Sequence, residues 1–361
     1  MPKFKLILDE GTYNMVKNAL FLRWLFISLC FLMFILSPVR SSIAGRQMPP
    51  TLNVVKLGLK FVADIPLPGG DSRFDYQTID EAHRRLYISH MGANLVTVFD
   101  LVSRTVIANL RDIPGPTGIL VVPELNRLYV SASTKNEVYV FDTSSLKVIA
   151  KIPTGRFPDG ITFCPENKRV FVSNEFGETI TVFNAITNRV VANIKMGGEV
   201  GNTHYDPLSK LIYSAVQTRE ELVAINPQTL KIIAHYNLPG CIGPHGFYID
   251  SENHYAFITG EDNATYVVFD LASKRIIAKG RVGADPDVLA FDKRTHRLYV
   301  ASESGVISVF DLEKRAVKKI GESFFAKNAH TVSVDEKTHL VFFPLQNVNG
   351  RPVLRVMEPI R

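Results

Sequence analysis

Residues 116–142 read PTGILVVPELNRLYVSASTKNEVYVFD, and residues 158–184 read PDGITFCPENKRVFVSNEFGETITVFN. Laid over each other without a gap they match in turn, strand and turn again. Residues 74–100, FDYQTIDEAHRRLYISHMGANLVTVFD, fall on the same frame, so the three copies start 42 residues apart. Further copies begin at Val200 (VGNTHYDPLSKLIYSAVQTREELVAIN), Pro244 (PHGFYIDSENHYAFITGEDNATYVVFD) and Pro286 (PDVLAFDKRTHRLYVASESGVISVFD). A seventh begins at Ala329 (AHTVSVDEKTHLVFFPLQNVNGRPVLRVME). Self-similarity at a fixed period of this length marks an array of one supersecondary unit.

Each copy alternates short runs rich in Val, Ile, Tyr and Phe with turn clusters such as PELNR, PENKR and DPLSK. That is the pattern of strands joined by hairpins. A fourth strand follows each of the first six copies: TVIANL, KVIAKI, RVVANI, KIIAHY, RIIAKG and AVKKIG. Four strands per unit and no helix between them predict propeller blades. The ends predict how the ring closes. KFVADIPLPGG (Lys60–Gly70) matches KVIAKIPTGRF (Lys147–Phe157), so it is a fourth strand with no first three before it. The last copy supplies three strands and stops at Arg361. The expected fold is all-β: a seven-bladed β-propeller of four-stranded antiparallel blades over residues 60–361. The N-terminal strand completes the last blade, which leaves no free sheet edge.

The stretch from Arg127 to Glu166, RLYVSASTKNEVYVFDTSSLKVIAKIPTGRFPDGITFCPE, resembles the YVTN-family β-propeller repeat. The chain from about Lys60 to Ile360 is similar to secreted, YncE-like seven-bladed propellers of bacteria. That resemblance implies the fold and an exported location. It implies no particular activity, because propellers host binders, scaffolds, lyases and lactonases alike, and it carries over no catalytic residue.

The first 44 residues are read apart from the fold. Trp24–Leu36, WLFISLCFLMFIL, is an apolar run preceded by Lys17 and Arg23 and followed by SPVRSSIAG. Ser42 and Ala44 occupy the small-residue positions of a cleavage site, so residues 1–44 are expected to be a signal peptide cut after Ala44. Met15 gives a more typical start than Met1. An uncleaved anchor is the alternative, since 19–39 reaches spanning length. Residues 45–59 follow as a linker. The protein is thus expected to be periplasmic or secreted, or anchored in the inner membrane if the segment stays, with no other membrane contact.

Net charge is +6, of which residues 1–44 carry +3 and the remainder +3. The basic and acidic residues are interspersed, so nucleic acid is not an expected partner. Among the cysteines, Cys30 lies in the signal segment. Cys164 falls near the far end of an inner strand and Cys241 near a mouth loop, too far apart for a bridge, which predicts two free thiols. No phosphate-binding glycine loop, G-x-S-x-G elbow or Cys-x-x-Cys is present, and the one tryptophan, Trp24, is in the signal segment.

Function is expected where blade loops gather on one face. In a propeller the first strand of each blade lines the central channel. The residue that opens it reads, copy by copy, Asp75, Thr117, Asp159, Gly201, His245, Asp287 and His330. Loops after the second strands bring His90, Glu175, Arg219, Glu261, Glu303 and Gln346 towards the same rim. Asp75, Asp159, Asn202, His245, Asp287 and His330 are therefore the candidate ligand-binding residues at the channel mouth. His245, Asp287 and His330 are the candidate metal ligands, two imidazoles and a carboxylate suiting a divalent ion. Two functions fit this set. One is binding of a small molecule or protein partner at the channel mouth. The other is metal-assisted hydrolysis or lyase chemistry, lactonase-like, with the histidines as ligands or acid/base groups. Asp159 or Asp287 taken singly reads rather as a solvated turn acid. His204, mid-strand, reads as a structural histidine directed into blade packing. His83, His254, His296 and His339 fall in the turns on the opposite face, where solvation is expected.

Overall fold

The computed structural model describes residues 57–313 and 316–360, so the segment read as a signal peptide lies outside the described residues. The alternating runs form strands where the pattern puts them, and those strands assemble into seven four-stranded antiparallel sheets. Inner strands run Gln77–Asp80, Pro116–Val122, Pro158–Cys164, Val200–Asp206, Pro244–Asp250, Pro286–Asp292 and Ser333–Val334, and they define blades 1 to 7. Blades 1 to 6 each use four consecutive strands.

Blade 7 closes the ring as the ends of the sequence require. Leu59–Pro66 pairs antiparallel with Arg351–Pro359, from Leu59 opposite Pro359 to Pro66 opposite Val353. Leu57 and Leu59 are fully buried with Val341, Phe343 and Met357. The Arg355 guanidinium donates to both Asp64 oxygens at 2.8 and 2.7 Å, tying the two ends of the chain together.

The core lies between neighbouring blades. The aromatic of each second strand is the main filler: Tyr87, Tyr129, Phe171, Tyr213, Phe257, Tyr299 and Phe343 are all among the largest fully buried side chains. Each such burial stabilises by about 1.5–3 kcal/mol. Blade 2 packs Tyr129, Val138 and Val140 against Val170, Val172 and Phe183 of blade 3.

The turns after the inner strands repeat one device. In blades 1, 4, 5, 6 and 7 an aspartate ends or follows the strand and accepts N–H bonds from the turn, as Asp206 does from Leu208 and Ser209, and Asp292 from Arg294 and Thr295. The residue before the next strand then takes a left-handed backbone: Arg84, Asn126, Lys168, Lys210, His254, His296 and His339 all have φ between 51° and 63°. Several of these residues also bridge blades. Arg84 pairs with Asp335, His254 with Asp206 at 3.4 Å and His339 with Asp292 at 3.0 Å. The turn histidines are thus on the expected face, but His254 and His339 are tied to the neighbouring blade rather than simply solvated.

The glycine of P-x-G has a direct role. A Cβ on Gly118 would stand 1.8 Å from the Asp159 carbonyl oxygen, and one on Gly246 would stand 1.5 Å from that of Asp287. Inner strands therefore meet backbone to backbone at these points. The contact draws the first residues of neighbouring strands together around the channel mouth.

Candidate functional site at the channel mouth

All six candidate residues are buried: Asp75, Asp159, His245, Asp287 and His330 at the mouth, and Asn202 in the wall of the cavity beneath it. Glycine follows the first position in blades 2, 3 and 5, but in blade 1 that place holds Tyr76. The Tyr76 hydroxyl stands 3.2 Å from Asp159 Oδ2, 3.2 Å from His245 Nε2 and 3.3 Å from Asp287 Oδ1. It joins blades 1, 3, 5 and 6 across the axis. Sequence reasoning did not select Tyr76, although it is the one aromatic in a column that otherwise reads Gly118, Gly160, Asn202, Gly246, Val288 and Thr331.

His245 lies 3.4 Å from Asp287 Oδ1, 3.7 Å from Asp159 Oδ2 and 4.0 Å from Glu261 Oε2. Burial opposes a charge on this imidazole. The carboxylates of Asp287, Glu261, Asp159 and Glu175 outweigh it and push its pKa up to about 10. As an imidazolium it donates from Nε2 to the Tyr76 oxygen, leaving the phenol proton for a carboxylate. His330 is the opposite case. It is fully buried, and burial together with the nearby Arg73 charge holds it well below the usual histidine range.

Arg73, which the sequence did not single out, is the second cation. Its Nη1 donates to Glu303 Oε1 at 2.5 Å and its Nη2 lies 3.8 Å from Asp287 Oδ2. Around these two cations stand six carboxylates: Asp75, Asp159, Glu175, Glu261, Asp287 and Glu303. Burial raises Asp75 well above the normal range, and the charges of Asp159 and Asp287 add to it. Asp159, Asp287 and Glu261 are raised too, by burial first. Burial pushes Glu175 up to about 7. Burial is the largest cause each time, and the nearby charge of Arg73 at Asp75 or of His245 at the others offsets it only in part.

The second-strand loops divide. Glu175, Glu261 and Glu303 reach the cluster as expected. Arg219 instead pairs with Glu221 at 3.1 Å. His90 stacks on Phe74 and bonds to Ser72 and to the Pro68 carbonyl. Gln346 donates to Asp71 at 2.8 Å.

Among the described residues, one group of three could hold a metal ion with donor atoms within 4.8 Å of one another: Asp75, Asp287 and His330. His330 Nε2 stands 3.9 Å from Asp287 Oδ2. The structure thus brings Asp287 and His330 together as the sequence suggested, while His245 approaches the other Asp287 oxygen and falls outside that group. Cys241 is fully buried among Leu238, Phe247 and Ile258, and Cys164 among Phe171 and Ile180, both as free thiols.

Below Tyr76 the channel opens into a cavity of about 320 Å³. Its wall includes Leu120, His204, Phe247, Tyr248 and Glu336. His204 both faces this cavity and meets Phe247 of the next blade edge-on, with centroids 4.6 Å apart. Tyr76 is common to both compartments: its hydroxyl joins the acidic cluster and its side chain lines the cavity.

A family profile described as YNCE-like beta-propeller matches residues 124–342 of the chain. No curated protein sequence matches it. Among solved structures, a chain of Kuenenia stuttgartiensis hydrazine synthase is similar at 14% identity with a TM-score of 0.68, covering 87% of this chain and 99% of that one. The WD40 repeats of RRP9 are similar at 10% identity and TM-score 0.71, covering 84% and 100%. U3-55K is similar at 9% identity and TM-score 0.70, covering 82% and 98%. At these identities the likeness is one of fold.

Proposed function

The chain belongs to the YNCE-like β-propeller family, and from that premise we propose that it is an exported protein whose channel-mouth face binds a cationic ligand. The ligand is a small cation or the basic group of a protein partner. The observation that carries this is the excess of carboxylates over cations. Six buried or half-buried acids face only Arg73 and His245, and five of the six have raised pKa values. Asp285, itself raised by burial and by the nearby charges of Glu303 and Asp262, extends the acidic surface outward. A cation entering there is drawn by the field of the rim and meets carboxylates with water largely excluded, where charge pairing is strong. Export is supported by the apolar run Trp24–Leu36 and the small residues up to Ala44.

Calorimetric titration with spermidine, with an arginine-rich peptide and with a citrate control tests the reading. The cations are expected to bind and citrate is not. Replacing Glu175, Glu261 and Glu303 together by Gln is expected to weaken binding at least about 10-fold, close to 1.4 kcal/mol. Binding of citrate but of neither cation, or full cation affinity in the folded triple variant, would overturn it.

A further inference from the structure

We infer that the channel mouth holds one divalent first-row metal ion, ligated by Asp75, Asp287 and His330. This rests on the cationic-ligand reading and narrows it to a particular ion and place. Asp287 is the second residue of the inner strand of blade 6, and Asp75 and His330 lie just before those of blades 1 and 7, three blades consecutive around the ring. All three are buried, and their donor atoms lie within 4.8 Å of one another.

A second observation is independent of that clustering. Asp75 Oδ1, on a buried side chain, has no hydrogen-bond partner. Buried polar atoms in folded proteins are nearly always satisfied, and each one left bare costs about 1–3 kcal/mol. Here that side chain stands against Asp287 and His330 of the two preceding blades. A cation placed there satisfies Asp75 and takes its other ligands from Asp287 and His330.

The spacing suits such an ion. Ligand bonds of about 2.0–2.2 Å put donor atoms roughly 3–4 Å apart, so the group needs only a small inward closure. Two carboxylates and an imidazole favour Mn²⁺, Fe²⁺ or Zn²⁺ over calcium and magnesium, which prefer oxygen alone, and over soft copper(I). Arg73 borders the site, but its Nη1 is held by Glu303 at 2.5 Å, against 3.8 Å from Nη2 to Asp287. It can keep that partner while the ion takes the inner oxygens.

The test uses the purified chain stripped with chelator and titrated separately with Mn²⁺ and Zn²⁺. One site per chain is expected for at least one metal. Asp75→Asn and His330→Gln, each checked for folding by circular dichroism, are expected to weaken it by about 100-fold. Pulsed EPR of the wild-type Mn²⁺ form is expected to show coupling to one imidazole nitrogen, a readout that needs no variant to fold. Binding of neither metal, unchanged affinity in both folded variants, or a Mn²⁺ spectrum without nitrogen coupling overturns the inference. If neither metal binds but spermidine does, the cationic-ligand reading stands and this one falls. If the metals, spermidine and the arginine-rich peptide all fail to bind, both fall.

Discussion

Gly246→Ala puts the backbone contact between blades 5 and 6 to a direct test. The new methyl carbon would lie 1.5 Å from the Asp287 carbonyl oxygen, 2.6 Å from its carbonyl carbon and 3.1 Å from Leu289 Cδ1. A carbon and a carbonyl oxygen approach no closer than about 3.3 Å. The Asp287 backbone must therefore retreat by roughly 1.8 Å, and no flexible side chain can absorb the shift. Overpacking of this kind costs about 1–3 kcal/mol, and the upper end applies where backbone must move. The substitution also stiffens the unfolded chain, which returns about 0.4–1 kcal/mol, so a net loss near 2 kcal/mol is expected. Urea unfolding followed by far-ultraviolet circular dichroism measures it. Gly70→Ala is the control: nothing lies within 4 Å of its added Cβ, and only its φ of +75° resists. Because the displaced segment carries Asp287, Gly246→Ala is also expected to weaken cation binding, while Gly70→Ala leaves it unchanged. If Gly246→Ala unfolds within about 0.5 kcal/mol of wild type, the close approach of the inner strands does not hold the mouth together, and the reasoning fails.

Burial pushes His204 down to about 4 from 6.5, so the folded chain keeps it neutral. The unfolded chain binds a proton more readily, so stability is full above about pH 6.5 and falls as pH drops towards 4. Wild type is expected to lose about 2 kcal/mol relative to His204→Gln between pH 7 and pH 5, and a pH-independent gap in urea midpoints would refute this. At the closure, Asp64→Ala strands the buried Arg355 guanidinium and is expected to cost about 3 kcal/mol. Lys60→Ala breaks only the exposed 3.8 Å pair with Glu358 and is expected to stay within about 0.5 kcal/mol by the same assay.

The fold was legible because it is written seven times. A strand run read once is ambiguous, but seven aligned runs fix blade number and strand order, and the orphan strand at Lys60 fixes the closure. The first residue of each inner strand was legible for the same reason: its position is set by backbone alone. Side chains in the loops were not, because a single rotation decides their partner. The column of Glu175, Glu261 and Glu303 holds Met91 in blade 1 and Gln217 in blade 4, while His90 stands one place before it and Arg219 two places after. His90 turns onto Phe74 and Arg219 onto Glu221, choices made by neighbours that no repeat encodes. Arg73 belongs to a column that otherwise reads Gly115, Phe157, Glu199, Gly243, Asp285 and Asn328, with no pattern to depart from.

Tyr76 shows what the ring makes of such departures. In blades 2 and 5 the glycine at its position lets backbones touch, which narrows the channel and gathers the first residues of the strands. In blade 1 a phenol fills the space thus enclosed and bonds to three of the gathered side chains. The closed sheet supplies the stability and the cluster draws on it, since carboxylates held together out of water oppose folding. Apolar residues in the same positions would serve the ring at least as well. What they could not do is hold a cation, and the bare Oδ1 of Asp75 marks where it would sit.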